Sequence, residues 1–149
     1  MKHRLFLLLL LLFLYSSCGK DECMVLPYQA LVGNWIGNYR YTSLVDGEIF
    51  VDVNKPIELK FEGDRTGRYY EWNNAGVKLE LELIYDYYSE PNLVTITDFF
   101  PLSGQIRNKT TYNVVSLTED SLALQLSRTV VDTSGIQYDN TVKWQLLRQ

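Results

Sequence analysis

From Gly33 to the end of the chain, apolar and polar residues alternate with a period of two, the spacing of strands that bury one face. No helical periodicity of useful length interrupts it. The pattern predicts eight strands, at 33–42, 48–62, 67–73, 77–88, 93–100, 105–116, 122–132 and 136–147. The first sets Trp35, Gly37, Tyr39 and Tyr41 on one face. The second carries Ile49, Val51, Val53, Ile57, Leu59 and Phe61 on odd positions, with Pro56 where no ladder donor is needed. The fourth is the cleanest. Val77, Leu79, Leu81, Leu83, Tyr85 and Tyr87 share its odd face, and Lys78, Glu80, Glu82, Ile84 and Asp86 share its even face.

Turn residues fall between these segments at short intervals, so each strand joins the next by a hairpin. Apolar faces must match across a hairpin, which fixes its register. For the last hairpin, the three-residue loop Thr133-Ser134-Gly135 pairs Val130 with Tyr138, Leu126 with Val142, Leu124 with Trp144 and Leu122 with Leu146. For the third and fourth strands the same test pairs Trp72 with Val77 and Tyr70 with Leu79. Eight sequential antiparallel strands with one apolar face each close best as an up-and-down β-barrel, because closure removes both edges.

The inward face of a small barrel either fills with side chains or encloses one small ligand. The polar residues that these registers turn inward are therefore the candidate chemistry. Asp98 comes in with Val94, Ile96 and Phe100, and Asn108 and Thr110 come in with Ile106, Tyr112 and Val114. Arg128 and Asn140 enter on the last two strands. Pairing Phe100 with Ile106 sets Asp98 beside Asn108, and pairing Tyr112 with Leu126 sets Thr110 beside Arg128. Two readings follow. Arg128 anchors an anionic ligand head by charge-assisted hydrogen bonds, with Tyr39, Tyr41, Tyr70, Tyr85 and Tyr87 as walls. Alternatively, Arg128 and Asp98 form an internal salt bridge in a filled core. Arg68 is a second inward cation, close enough to a turn to reach water. Glu80 and Glu82 alternate with the core face and point to solvent. No carboxylate spacing resembles a calcium loop, and no metal or cofactor is expected.

The N-terminus breaks the pattern. Lys2, His3 and Arg4 precede an apolar run from Leu5 to Leu14, and Ser16 and Ser17 follow it. That order is a secretory signal. Such a run spans only ~15 Å as a helix against a ~30 Å hydrocarbon core. Leu14-Tyr15-Ser16-Ser17-Cys18 resembles the lipobox of bacterial lipoproteins, with Tyr15 standing where the family prefers leucine. The resemblance implies a signal peptide over 1–17 and acylation of Cys18. Residues 18–29 are then the lipidated cysteine and its tether, and the barrel domain read from the strands occupies 30–149. Lys20-Asp21-Glu22 resembles the tag that sends some Gram-negative lipoproteins to the cell surface, so an outer-membrane, outward-facing anchor is expected. Cys23 is left without an intrachain partner.

Charge and composition then remove function classes. The whole chain carries a formal charge of −4, and losing Lys2 and Arg4 makes the mature form more acidic. Without a basic patch it is a poor nucleic-acid binder. The sole histidine is His3, which leaves with the signal. Histidine-based triads, general bases and the usual zinc sites are thereby excluded from the mature chain. No catalytic residue is expected.

Leu31-Val32-Gly33-Asn34-Trp35 is similar to the Gly-x-Trp signature that opens the first strand of lipocalins. The endings around Tyr112–Leu124 and Trp144-Gln145-Leu146-Leu147-Arg148 resemble lipocalin-like domains of bacterial lipoproteins. The resemblance implies that Gly33 and Trp35 close the barrel base, with Arg148 packing on the tryptophan. It also implies non-catalytic binding of a small apolar or amphipathic ligand. The rival reading is a filled barrel that serves as an inhibitor or accessory subunit for a surface protein partner.

Overall fold

The computed structural model describes residues 27–73, 75–100 and 102–149. The signal segment, Cys18, Cys23 and most of the tether lie outside the described residues. A 3-10 turn, Pro27–Leu31, leads into β1 (Gly33–Val45), β2 (Glu48–Phe61), β3 (Thr66–Trp72) and β4 (Lys78–Tyr88). β5 (Leu93–Phe99), β6 (Ile106–Leu117), β7 (Ser121–Val131) and β8 (Gln137–Arg148) follow. The eight strands form one closed antiparallel barrel in sequence order. β1 and β8 complete it, paired from Trp35↔Arg148 to Val45↔Tyr138. Closure needs a point where backbones pass closely. A Cβ on Gly37 would lie 1.9 Å from the Gln145 carbonyl oxygen, so glycine is required there.

The end that holds the start of β1 is sealed. Trp35 is fully buried, and its Nε1 donates to the Leu31 carbonyl at 2.7 Å. The Arg148 guanidinium lies 4.5 Å from the Trp35 ring centroid, and its Nη2 donates to the Ala30 carbonyl at 2.8 Å. Gly33 takes φ +145°, and a Cβ there would meet the Arg148 side chain at 3.5 Å. Above this plug lie Leu59, Phe61, Leu81, Leu83, Leu122 and Leu124, all buried. Each contributes ~1.5–3 kcal/mol on leaving water.

The last hairpin has the expected register at all four pairs. Gly135 adopts φ +81°, and the Asp132 carboxylate accepts from the Ser134 and Ile136 amides at 2.8 and 2.9 Å. The β3–β4 hairpin differs from expectation by one residue: Trp72 pairs with Lys78 and Tyr70 with Glu80. The turn decides this. The Asn73 amide donates to the Val77 carbonyl at 3.0 Å, and its side chain accepts from the Ala75 and Val77 amides at 2.9 Å each. Gly76 takes the left-handed φ of +75°. The register slip turns every β3 side chain over. Tyr70 therefore faces outward under Lys78, whose Nζ lies 3.9 Å from its ring centroid. Arg68 also faces outward, 2.9 Å from Glu80.

The β5–β6 pairing departs at one point. Asp98 pairs with Asn108 as expected, but Phe99, not Phe100, pairs with Ile106. Arg107 is the extra residue of this bulge. Phe100 and Ile106 are exposed there, as are Ile49, Val53, Val77, Leu79 and Val130. Their strands carry the alternation beyond the last filled layer of the core.

Candidate functional site

A cavity of about 240 Å³ lies inside the barrel, toward the end opposite Trp35. Trp144, Tyr112, Tyr69, Leu126 and Val142 line it, with a set of polar side chains around them. Tyr69 stacks on Trp144 at 5.9 Å between centroids, and Tyr112 and Tyr39 pack on the same indole at 4.9 and 6.3 Å. Aromatic pairs at such distances are favourable beyond the area they bury. The Trp144 Nε1 is buried without a hydrogen-bond partner.

One wall is an ionic network. Lys55 donates to Glu71 Oε2, and the Tyr69 hydroxyl donates to the same oxygen at 2.8 Å. Arg107 Nη2 reaches Glu71 Oε1 at 3.5 Å, and its Nη1 lies 3.8 Å from Asp98 Oδ2. β6 and β3 are three strands apart in the barrel order, so the Arg107–Glu71 contact crosses the lumen. The bulge makes it, because it turns in a residue that strict alternation would place outside.

The two carboxylates differ. Burial works to raise the Glu71 pKa, but hydrogen bonds from Lys55 and Tyr69 and the charges of Lys55 and Arg107 outweigh it and hold Glu71 below the usual range. Burial pushes the Asp98 carboxyl up, against the weaker pull of Arg107. Asp98 Oδ1 is buried with no side-chain or backbone partner within bonding geometry. Burial also raises the Tyr39, Tyr69 and Tyr112 phenols, so at neutral pH all three are hydrogen-bond donors.

The opposite wall holds Arg128 and Asn140, which pair directly across β7 and β8. Asn140 is buried, and its Oδ1 accepts from the Tyr41 hydroxyl at 2.7 Å. Arg128 lines the cavity and, among the described residues, belongs to no ion pair. The expected Arg128–Asp98 bridge is not formed, because Arg107 holds the Asp98 carboxylate instead.

Seven of the expected residues come together at this cavity: Arg128, Asp98, Asn108, Thr110, Asn140, Tyr39 and Tyr41. Three do not. Tyr70 is outside, for the register reason given above. Tyr85 is on the inner face but at the sealed end, packed on Phe61 at 4.6 Å. Its hydroxyl donates to the Glu62 carbonyl at 2.7 Å, and burial first of all pushes its pKa up to about 12. Tyr87 lies at that same end, with its hydroxyl on Asn92 Oδ1 at 2.8 Å. Lys55, Tyr69, Glu71 and Arg107 were not anticipated. Lys55 was visible, since it stands in the odd series between Val53 and Ile57. Tyr69 and Glu71 follow from the true β3 register, and Arg107 had no sequence signal.

No protein-family model matches the chain, and no curated protein matches it. Solved structures do. A lipocalin-like protein from Bacteroides uniformis aligns at 18% identity over 80% of this chain and 99% of its own, with a TM-score of 0.50. The fold is lipocalin-like. An uncharacterized protein from Bacteroides eggerthii aligns at 16% identity over 79% of this chain and 98% of its own, with a TM-score of 0.46. A deswapped triple mutant of bovine odorant binding protein aligns at 16% over 80% and 74%, with a TM-score of 0.40. At these identities the likeness is one of fold.

Proposed function

We propose that this protein is a lipid-anchored lipocalin-like binding protein that holds one small amphipathic molecule in the barrel lumen without transforming it. The observation that carries the reading is Arg128. It is a cation lining an aromatic-walled cavity, and no carboxylate among the described residues neutralises it. Small-molecule sites set fixed polar groups against apolar and aromatic walls, and this cavity does so with an unusually polar lining. Asp98, Asn108, Thr110, Asn140, Tyr39 and Tyr41 complete its polar lining in this reading. The anchor is the acyl group on Cys18, and the location is the outer surface of a Gram-negative outer membrane. Two or three acyl chains at ~0.8 kcal/mol per buried methylene suffice for stable attachment.

Native mass spectrometry of the full chain, released gently in detergent from its own host, tests the binding reading. The expected result is a mass beyond the acylated chain that disappears on denaturation. An acylated chain with no such addition overturns it. Fractionation tests the anchor separately. Cys18→Ala should move the protein from the membrane to the soluble fraction, and continued membrane retention would remove Cys18 from that role.

A further inference from the structure

The charges lining the cavity do not balance. Lys55, Arg107 and Arg128 face Glu71 and Asp98 there. Four of the five belong to one connected network: Lys55 and Arg107 both engage Glu71, and Arg107 also engages Asp98. Arg128 stands apart. β7 lies four strands from β3 in either direction around the closed barrel, so Arg128 faces the Glu71 network from across the lumen.

We infer that the occupant is a compact monoanion, with its one negative group on Arg128 and an apolar, ring-sized body against the aromatic wall. The inference rests on the binding reading above and names the ligand class for that site. The charge count decides the valence. Arg128 is solvent-exposed, and an occupant that displaces its water must supply an opposite charge in return. A single negative charge brings the lumen to neutrality. A neutral ligand leaves Arg128 uncompensated, a dianion leaves an excess negative charge, and an amine adds to the positive excess.

The position follows from what is already engaged. An anion that took Arg107 or Lys55 would compete with Glu71 for a cation it already engages. Arg128 requires no such exchange. Its cross-strand partner Asn140 uses its amide oxygen to accept from Tyr41. The Asn140 NH₂ group is thereby left to donate beside the guanidinium.

The volume limits size. The cavity's 240 Å³ is below the ~300–1,000 Å³ usual for drug-sized ligands. A single ring bearing one acid group fits this space, and a long acyl chain would have to extend out of it.

The test is calorimetry on the detergent-solubilised full chain with ring compounds that differ in charge: benzoate, benzamide, benzylamine and isophthalate, with dodecanoate as the long-chain comparison. Benzoate should bind about tenfold or more tightly than each of the others, the scale of a charge-assisted hydrogen bond. Arg128→Gln should erase the preference for benzoate over benzamide. Equal or tighter binding of benzamide, isophthalate or dodecanoate overturns the inference, as does undetectable benzoate at millimolar concentration. The two readings fail separately. A neutral, cationic or long-chain molecule in the native mass spectrum would refute the monoanion and leave the binding protein intact. Absence of both an adduct and benzoate binding would refute both.

Discussion

The two ends of this barrel are built from the same alternation and filled with opposite chemistry. At the sealed end the inward positions are apolar, aromatic or glycine, and Trp35 Nε1 and the Tyr85 hydroxyl each meet a backbone carbonyl. At the other end the inward positions of five strands carry Lys55, Glu71, Asp98, Arg128 and Asn140. The difference teaches how a small barrel divides its tasks along its axis. Closure and hydrophobic burial at one end hold the strands together, and charges that would disrupt a core are tolerated at the other. Substitutions at the two ends should therefore have separable effects on stability and on binding.

The sharpest test is Trp35→Ala. It should lower the unfolding free energy by ~3–5 kcal/mol, because it empties the plug and leaves the Leu31 carbonyl without its donor and Arg148 without its ring. Urea denaturation measures this, and a loss below ~1 kcal/mol would mean that the sealed end does not hold the barrel. Gly37→Ala comes next. Its Cβ would collide with a backbone carbonyl, which cannot rotate away as a side chain can. A loss of ~3 kcal/mol, the upper end of the overpacking range, is expected. An unchanged urea midpoint would show that β1 and β8 have room to separate.

At the charged end the expected costs are smaller. Glu71→Gln removes the negative charge that Lys55 and Arg107 engage and one of the two oxygens that accept from Lys55, Tyr69 and Arg107. It should cost ~1–2 kcal/mol, held down by the partial exposure of both cations. The sign of its pH dependence is defined. Glu71 has a depressed pKa in the folded state, so its stabilisation is present above the unfolded carboxyl pKa and lost as pH falls through the folded one. The variant should lose that part of the acid-induced decline. A variant with the wild-type stability profile would show that the network contributes nothing to folding.

Much of this was legible in the chain. Alternation gave eight strands, and turn chemistry gave their hairpin order. Together with the requirement that edges disappear, they gave the closed barrel. The last hairpin was readable to the residue because its loop glycine and its leucines agree. β3 was not, because adjacent Tyr69 and Tyr70 satisfy either register by their apolar character. The Asn73 side chain broke the tie. Alternation also gives face but not height. Tyr85 and Tyr87 are on the correct face of β4, yet an even-numbered strand ends at the sealed end, so they fall below the cavity. Lys55 was in plain view but is a charge at a core-type position. Arg107 depends on a bulge, which leaves no trace in a period-two pattern.

The smallest expected effect concerns the second carboxylate. Asp98 shares the lumen and the Arg107 contact with Glu71 but has the opposite shift, since burial raises its pKa. A folded-state acid with a raised pKa holds its proton more tightly than the unfolded chain does, so it adds stability as pH falls through the folded pKa and subtracts it above. Asp98→Asn should thus change stability at neutral pH by no more than ~0.5 kcal/mol, and in the stabilising direction. The gap should close or reverse near pH ~4, where an ordinary carboxyl takes up its proton. Urea midpoints for both proteins at the two pH values decide it. A loss at neutral pH as large as that of Glu71→Gln would mean that Asp98 is held as a charged partner of Arg107. The lumen would then contain two equivalent ion pairs, and the contrast between its carboxylates would disappear.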